Sequence, residues 1–141
     1  MFKKIFQKDK KDNNDSKSIL IAALLIHAAK IDENYSEDEK KIVLKAIMQL
    51  NEINSDEAEK ILKLAEKKEE ESNQIVEFTK EIKKYPMDFR LKIIEIIWKI
   101  VYSDGANDNY ESNLIRRICG LLYISDKDSG IIKTKVKSLL K

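Results

Sequence analysis

Two acidic stretches of this sequence share one spacing, in which an Asp and a Glu enclose six residues. They run from Asp32 to Glu39 and from Asp104 to Glu111. Both Asp residues fall where a helix is predicted to end, and there the helix dipole disfavours a carboxylate by roughly 0.3–1 kcal/mol. A misfit that occurs twice indicates a positive ligand, and Ca²⁺ and Mg²⁺ both bind carboxylate and carbonyl oxygens. We therefore predict that these four residues hold a divalent cation, with Asp32 and Asp104 as the primary ligands.

The two glutamates also fit a structural role. Ser36-x-x-Glu39 and Asp108-x-x-Glu111 match the capping box, in which the Glu side chain bonds back to the N–H of the cap residue. Gly105 suits the left-handed position that follows many helices. The sequence lacks the EF-hand pattern of a 12-residue loop with Gly at its sixth position and Glu at its twelfth. Ligand and cap therefore stay open as alternatives for Glu39 and Glu111.

The composition indicates one all-α domain. The chain has 141 residues, of which 43% are hydrophobic, and this is enough for a core. It has only three Gly and one Pro, too few for the many tight turns of a β-sandwich or barrel. The 27 basic and 25 acidic residues leave a net charge of +2. This near-balance gives no reason to expect a nucleic-acid partner.

The pattern predicts a compact bundle of about seven helices. A basic, flexible segment (residues 1–15) precedes a helical domain (residues 16–141), and Ser16 is predicted to cap the first helix. The charged run from Glu66 to Glu71 is expected to be a solvated helix end, and Val76 is expected to face inward with its apolar neighbours. The predicted helices span about residues 16–31, 37–51, 55–71, 73–84, 86–103, 109–122 and 127–140.

A shift of 72 residues superposes two parts of the chain and predicts an internal duplication. Each half, about residues 18–70 and 87–141, contains a buried helix, an acidic turn, an amphipathic helix and a further helix. The helix between the halves acts as a connector, and such duplications commonly fold with a pseudo-twofold axis. The superposed pairs include Ile21 with Ile93, Leu25 with Ile97, Val43 with Ile115, Ala46 with Ile118, and Asp32 with Asp104.

The remaining reactive side chains do not form a catalytic motif. The only His and the only Cys are His27 and Cys119, so a structural zinc site and a Ser-His-Asp or Cys-His arrangement are not expected. His27 is expected to be a packed or edge histidine, and Cys119 a small buried hydrophobic residue. A metal-assisted site made of carboxylates alone is the one enzymatic alternative.

The sequence suggests a cytoplasmic protein. Because Cys119 stands alone, no intrachain disulfide is possible. The apolar run from Ile19 to Ala29 is shorter than the roughly 20 residues that span a bilayer, so we predict a buried core helix. Phe2, Ile5 and Phe6 stand beside lysines and suggest a weak contact with a membrane surface, which would make the protein peripheral to the inner membrane.

Residues 18–140 resemble the TerB family of tellurite-resistance proteins. The resemblance rests on Ala28-Ala29-Lys30-Ile31-Asp32 with the turn to Glu39, on Val101-Tyr-Ser-Asp-Gly105 to Glu111, and on Ile118-Cys-Gly-Leu-Leu-Tyr-Ile-Ser125. It implies a helical bundle with an internal duplication and an acidic patch associated with metal binding. The acidic positions of that patch correspond to Asp32, Glu39, Asp104 and Glu111. The sequence departs from the family at Glu33, where the second copy has Gly105.

Two functional hypotheses follow. The first is a non-enzymatic module whose acidic turns bind Ca²⁺ or Mg²⁺, in a stress response such as tellurite resistance or as a scaffold. The alternative is a metal-free protein–protein adaptor, of a co-chaperone or membrane-associated type, whose acidic turns meet a basic partner or a loop of a membrane protein.

Overall fold

A computed structural model describes residues 7–30, 35–72, 74–103 and 109–139, and the side chains of residues 7–15 and 109–112 lie outside this description. The described residues form seven α-helices and no strand, which confirms the all-α prediction. The helices are α1 (Gln7–Ala29), α2 (Glu37–Asn51), α3 (Ser55–Glu71), α4 (Val76–Ile82), α5 (Met87–Tyr102), α6 (Asn109–Leu121) and α7 (Asp126–Leu139).

Six of the seven helices lie close to their predicted ranges, and the start of α1 is the exception. It begins at Gln7, so Ser16 lies inside the helix and the predicted cap there is wrong. The helix thus crosses the predicted boundary between residues 15 and 16, and the division into two segments stays a prediction. Val76 was also expected to face inward, but it is 47% exposed because Ile75, Phe78 and Ile82 take the buried side of α4.

The second half of α1 forms the centre of the core. From Ile21 to Ala29 every residue except His27 is buried, and α1 contacts α2, α3, α4 and α5. A helix that is apolar all round must be enclosed by other helices, so this packing confirms the predicted core helix. The other central helix, α5, buries seven side chains between Ile93 and Val101. None of the helices in the described ranges is long and apolar enough to cross a membrane.

The two halves use corresponding helix contacts. In the first half α3 packs on α1 and α2, and in the second half α7 packs on α5 and α6. Residues 72 positions apart are also both buried, each in its own half, as for Leu25 and Ile97 and for Val43 and Ile115. These contacts agree with a duplicated arrangement, and the duplication itself stays a prediction.

The amphipathic helix of each half ends in the same way, at a residue with a positive φ. Glu52 (φ 54°) follows α2, and Tyr123 (φ 59°) lies just beyond α6. In both cases the N–H of the next residue donates to a carbonyl five residues earlier, from Ile53 to Met48 at 3.2 Å and from Ile124 to Cys119 at 2.8 Å. This bond marks the Schellman motif, which usually places Gly at the left-handed position. In this protein Glu52 and Tyr123 occupy that left-handed position instead of Gly.

The central position of α5 leads to a first prediction. Ile97 is fully buried, so Ile97→Ala leaves a cavity and should lower the free energy of unfolding by about 2–5 kcal/mol. Urea denaturation of the wild type and the variant measures this difference. Ile131→Ala is the matched control, because Ile131 is 60% exposed and its truncation should change stability by less than about 0.5 kcal/mol. Equal losses in both variants would contradict the assigned core.

Candidate functional site at the first acidic turn

Three helix ends meet beside the first acidic turn. These are the end of α1, the start of α2 and the end of α3, and each contributes charged side chains. Hydrogen bonds join parts of the chain that are about 40 residues apart in sequence. The carboxylate of Glu69 on α3 bonds to Lys30, 39 residues earlier, and to His27, 42 residues earlier. We call this group the charged cluster, and its members are His27, Lys30, Tyr35, Lys40, Glu66 and Glu69.

Glu69 joins α3 to α1 through both of its oxygens. Its Oε1 lies 2.9 Å from Lys30 Nζ, and its Oε2 lies 3.1 Å from His27 Nδ1. The Glu69 side chain is only 11% exposed. This burial raises the pKa of its carboxyl, but the hydrogen bonds and charges of Lys30 and His27 outweigh burial and hold the pKa below its ordinary value. Glu69 is therefore ionised, and its ionised form is stabilised by the hydrogen bonds and charges of Lys30 and His27.

Tyr35 lies half-buried between two ammonium groups. Lys30 Nζ is 5.8 Å and Lys40 Nζ 5.4 Å from the centre of its ring, which is within the range of a cation–π interaction. Lys40 also pairs with Glu66, at 3.4 Å. Burial raises the pKa of the Tyr35 phenol, and the neighbouring Glu66 carboxylate raises it further. The phenol thus stays neutral, and its ring lies within reach of both ammonium groups.

Glu39 is the one predicted ligand whose side chain is described. It is 3% exposed, and its Oε1 accepts the N–H of Ser36 at 2.9 Å while its own N–H donates to Ser36 Oγ at 3.1 Å. This reciprocal pair confirms the capping box predicted at the start of α2. A carboxylate offers about four lone-pair positions, so the cap bond is compatible with a second role as a metal ligand.

The other three predicted ligands lie outside the part of the chain that the structure describes. Asp32 and Asp104 lie outside the described residues, and so does the side chain of Glu111. The second predicted cap (Asp108) and Gly105 also lie outside them. In the part of the chain that the structure describes, no three His, Cys, Asp or Glu side chains are grouped so that they could hold a metal ion. The metal site thus stays a prediction.

The sequence analysis missed the role of α3. The run from Glu66 to Glu71 is not simply a solvated helix end, because Glu66 and Glu69 are 25% and 11% exposed and both pair with lysines. Helical periodicity contained a signal for this. Glu69 follows the buried Ala65 by four residues, and positions four apart share one helix face. A charged residue that continues a buried stripe indicates a partner on the neighbouring helix.

The comparisons with known proteins agree with the resemblance drawn from the acidic turns and the end of α6. A family model described as "Tellurite resistance protein TerB" matches residues 18–134, which is most of the 141-residue chain. No curated protein and no solved structure gives a significant match. The matched range extends from the buried part of α1 into α7 and includes both acidic turns.

The charged cluster leads to a second prediction. Because the folded pKa of Glu69 lies below its ordinary value of 4.5, its ion pairs stabilise the fold fully above that value and lose this effect as the pH falls through the folded pKa. Glu69→Gln should lower the free energy of unfolding by about 1–2 kcal/mol at neutral pH. The difference from wild type should vanish in strong acid. Chemical denaturation across a pH series measures both effects.

Glu70→Gln is the control for this experiment. Its side chain is 70% exposed and lies 3.8 Å from Lys30, so an exposed ion pair of this kind should contribute less than about 0.5 kcal/mol. A loss for Glu69→Gln that stays constant at every pH would show that the carboxylate charge is not what stabilises the cluster.

Proposed function

The chain belongs to the family described as tellurite resistance protein TerB, and from this premise we propose a non-enzymatic module that binds Ca²⁺ or Mg²⁺ at its two acidic turns. The module would act in a stress response or as a scaffold. We place this role in the cytoplasm, where the N-terminal lysines and aromatic residues would add a weak contact with the inner-membrane surface.

The observation that carries the proposal is the pairing of the lysines that flank the first turn. Residues 32–39 include five acidic residues and no basic one. Lys30 and Lys40 stand on either side of this stretch, and both ammonium groups are held by carboxylates of α3, at 2.9 Å and 3.4 Å. These two lysines are therefore engaged with α3 rather than with the carboxylates of the turn, and a divalent cation would supply compact positive charge there.

The donor chemistry of the turns supports a hard cation. The second turn, residues 104–111, has three acidic residues and no basic one, and both turns offer only oxygen ligands. Glu39 is already buried and oriented by Ser36, so it would join a site at little further cost in side-chain entropy. When bound, the cation would neutralise repulsion among the carboxylates and stabilise the turns.

The reactive side chains of the chain support a non-enzymatic role. Among the described residues, the His27 ring is hydrogen-bonded to Glu69 alone, so no Ser, Thr or Cys nucleophile is paired with it. Cys119 is 1% exposed, and burial raises the pKa of its thiol, which disfavours the nucleophilic thiolate. The chain has no second His or Cys to replace them.

A third prediction tests the cation site. A ligand that binds only the folded state stabilises it, by about 1.4 kcal/mol at ten times the dissociation constant. Millimolar CaCl₂ or MgCl₂ should therefore raise the melting temperature by about 3–6 °C, as measured by circular dichroism at constant ionic strength. The double variant Asp32→Asn/Asp104→Asn should lose this shift.

Asp126→Asn/Asp128→Asn is the matched control. It removes the same number of carboxylates from exposed positions in the first turn of α7, and it should keep the full shift. A wild type that does not respond to either cation would contradict the site, as would an equal shift in the Asp32/Asp104 variant. In that case the acidic turns are better explained as a docking surface for a basic partner, as in the metal-free adaptor.

A further inference from the structure

The outer side of α6 forms an exposed surface of unusual composition. Helical spacing places Arg116, Arg117 and Gly120 on one side, because residues three and four apart are neighbours on a helix. Tyr123 extends this surface just beyond the helix end and is 69% exposed. All four residues are exposed. We call this surface the α6 face.

Within the described residues, no carboxylate pairs with the arginines of the α6 face. Neither Arg116 nor Arg117 has an ion-pair partner among the described residues, whereas lysines elsewhere pair with Glu66, Glu69, Glu77, Glu81 and Glu95. Helix α4 packs against α6 and adds Lys83, whose Nζ lies 5.8 Å from the centre of the Tyr123 ring. The surface thus combines three cationic groups with one exposed aromatic ring.

Two residues of the face are unfavourable for the local backbone. Gly120 lies within α6, where Gly is less favourable than Ala. A Cβ built on it would meet no atom within 4 Å, so packing inside the protein does not require Gly. Tyr123 occupies a left-handed backbone position that suits Gly, yet its ring stays exposed. The Tyr123 ring faces Lys83 of the same surface, and the open space beside Gly120 leaves room there for an external contact.

The first half differs from this surface at two of the positions that lie 72 residues earlier. The residues 72 positions before Arg116 and Gly120 are Leu44 and Met48. Both are partly buried and pack against the hydrophobic core. Two of these positions on α2 therefore serve internal packing, whereas Lys45, at the position equivalent to Arg117, is exposed and basic as Arg117 is.

We propose that the α6 face is a docking surface for an acidic polypeptide segment of a partner protein. Arginine forks bind carboxylates in a bidentate manner, and Gly120 lies between the two arginines, where the missing side chain lets another backbone approach closely. The Tyr123 ring supplies an apolar contact at the end of the surface.

The proposal is tested by titrating the isotope-labelled full chain with a short poly-L-glutamate and recording NMR amide shifts. Saturable shifts are expected on α6 and at Lys83 and Tyr123. Arg116→Glu/Arg117→Glu should weaken binding about tenfold or more, because it reverses two charges at the contact. Gly120→Leu should also weaken binding, since the new side chain fills the approach while favouring the helix.

Lys60→Glu/Lys63→Glu is the matched control. Both lysines are exposed on α3 and have no ion-pair partner within the described residues, so the variant makes the same change of charge elsewhere and should bind normally. Three results would overturn the proposal. These are an equal loss in this control, unchanged affinity in Gly120→Leu, or tighter binding to phosphatidylserine vesicles than to poly-L-glutamate. The last result would assign the face to a membrane instead.

Discussion

The enclosure of α1 is the constraint on which the rest of the structure depends. Between Ile21 and Ala29 only His27 escapes burial, and each fully buried Leu or Ile contributes roughly 1.5–3 kcal/mol. Four helices must therefore surround α1. The stretch from Ile21 to Ala29 therefore has little place for charges, and the ion pairs between α1 and α3 lie at its C-terminal end, where α2 begins and α3 finishes.

This arrangement explains how a carboxylate of α3 can be mostly buried and still ionised. Desolvation of a carboxylate costs several kcal/mol when burial is complete, but Glu69 keeps 11% of its exposure. Hydrogen bonds to charged groups contribute about 1.5–3 kcal/mol each, and Glu69 accepts two of them, from Lys30 and His27. The two bonds outweigh the remaining desolvation, which agrees with the direction of the pKa shift.

The helix boundaries that the sequence predicted correctly are those set by residues next to them in the chain. The start of α2 was placed correctly because Ser36 and Glu39 form a capping box, and the start of α5 because Pro86 stands directly before it. The start of α1 was missed because residues 7–15 are polar and have no apolar period, although they are helical. The partners of Glu69 were missed because they lie about 40 residues away, and no local pattern specifies such a contact. The acidic turns were found by their spacing, which needs no tertiary information.

The two halves show how one backbone plan can give different surfaces. Both end their amphipathic helix with a left-handed residue and the same hydrogen bond, so the backbone geometry is alike at these two helix ends. The side chains on that helix differ: Leu44 and Met48 pack against the core, while Arg116 and Gly120 are exposed. Because a helix is held by its buried stripe, its outer side is free to change without loss of the fold. The net charge of +2 therefore conceals two acidic stretches of sequence and a basic helix face.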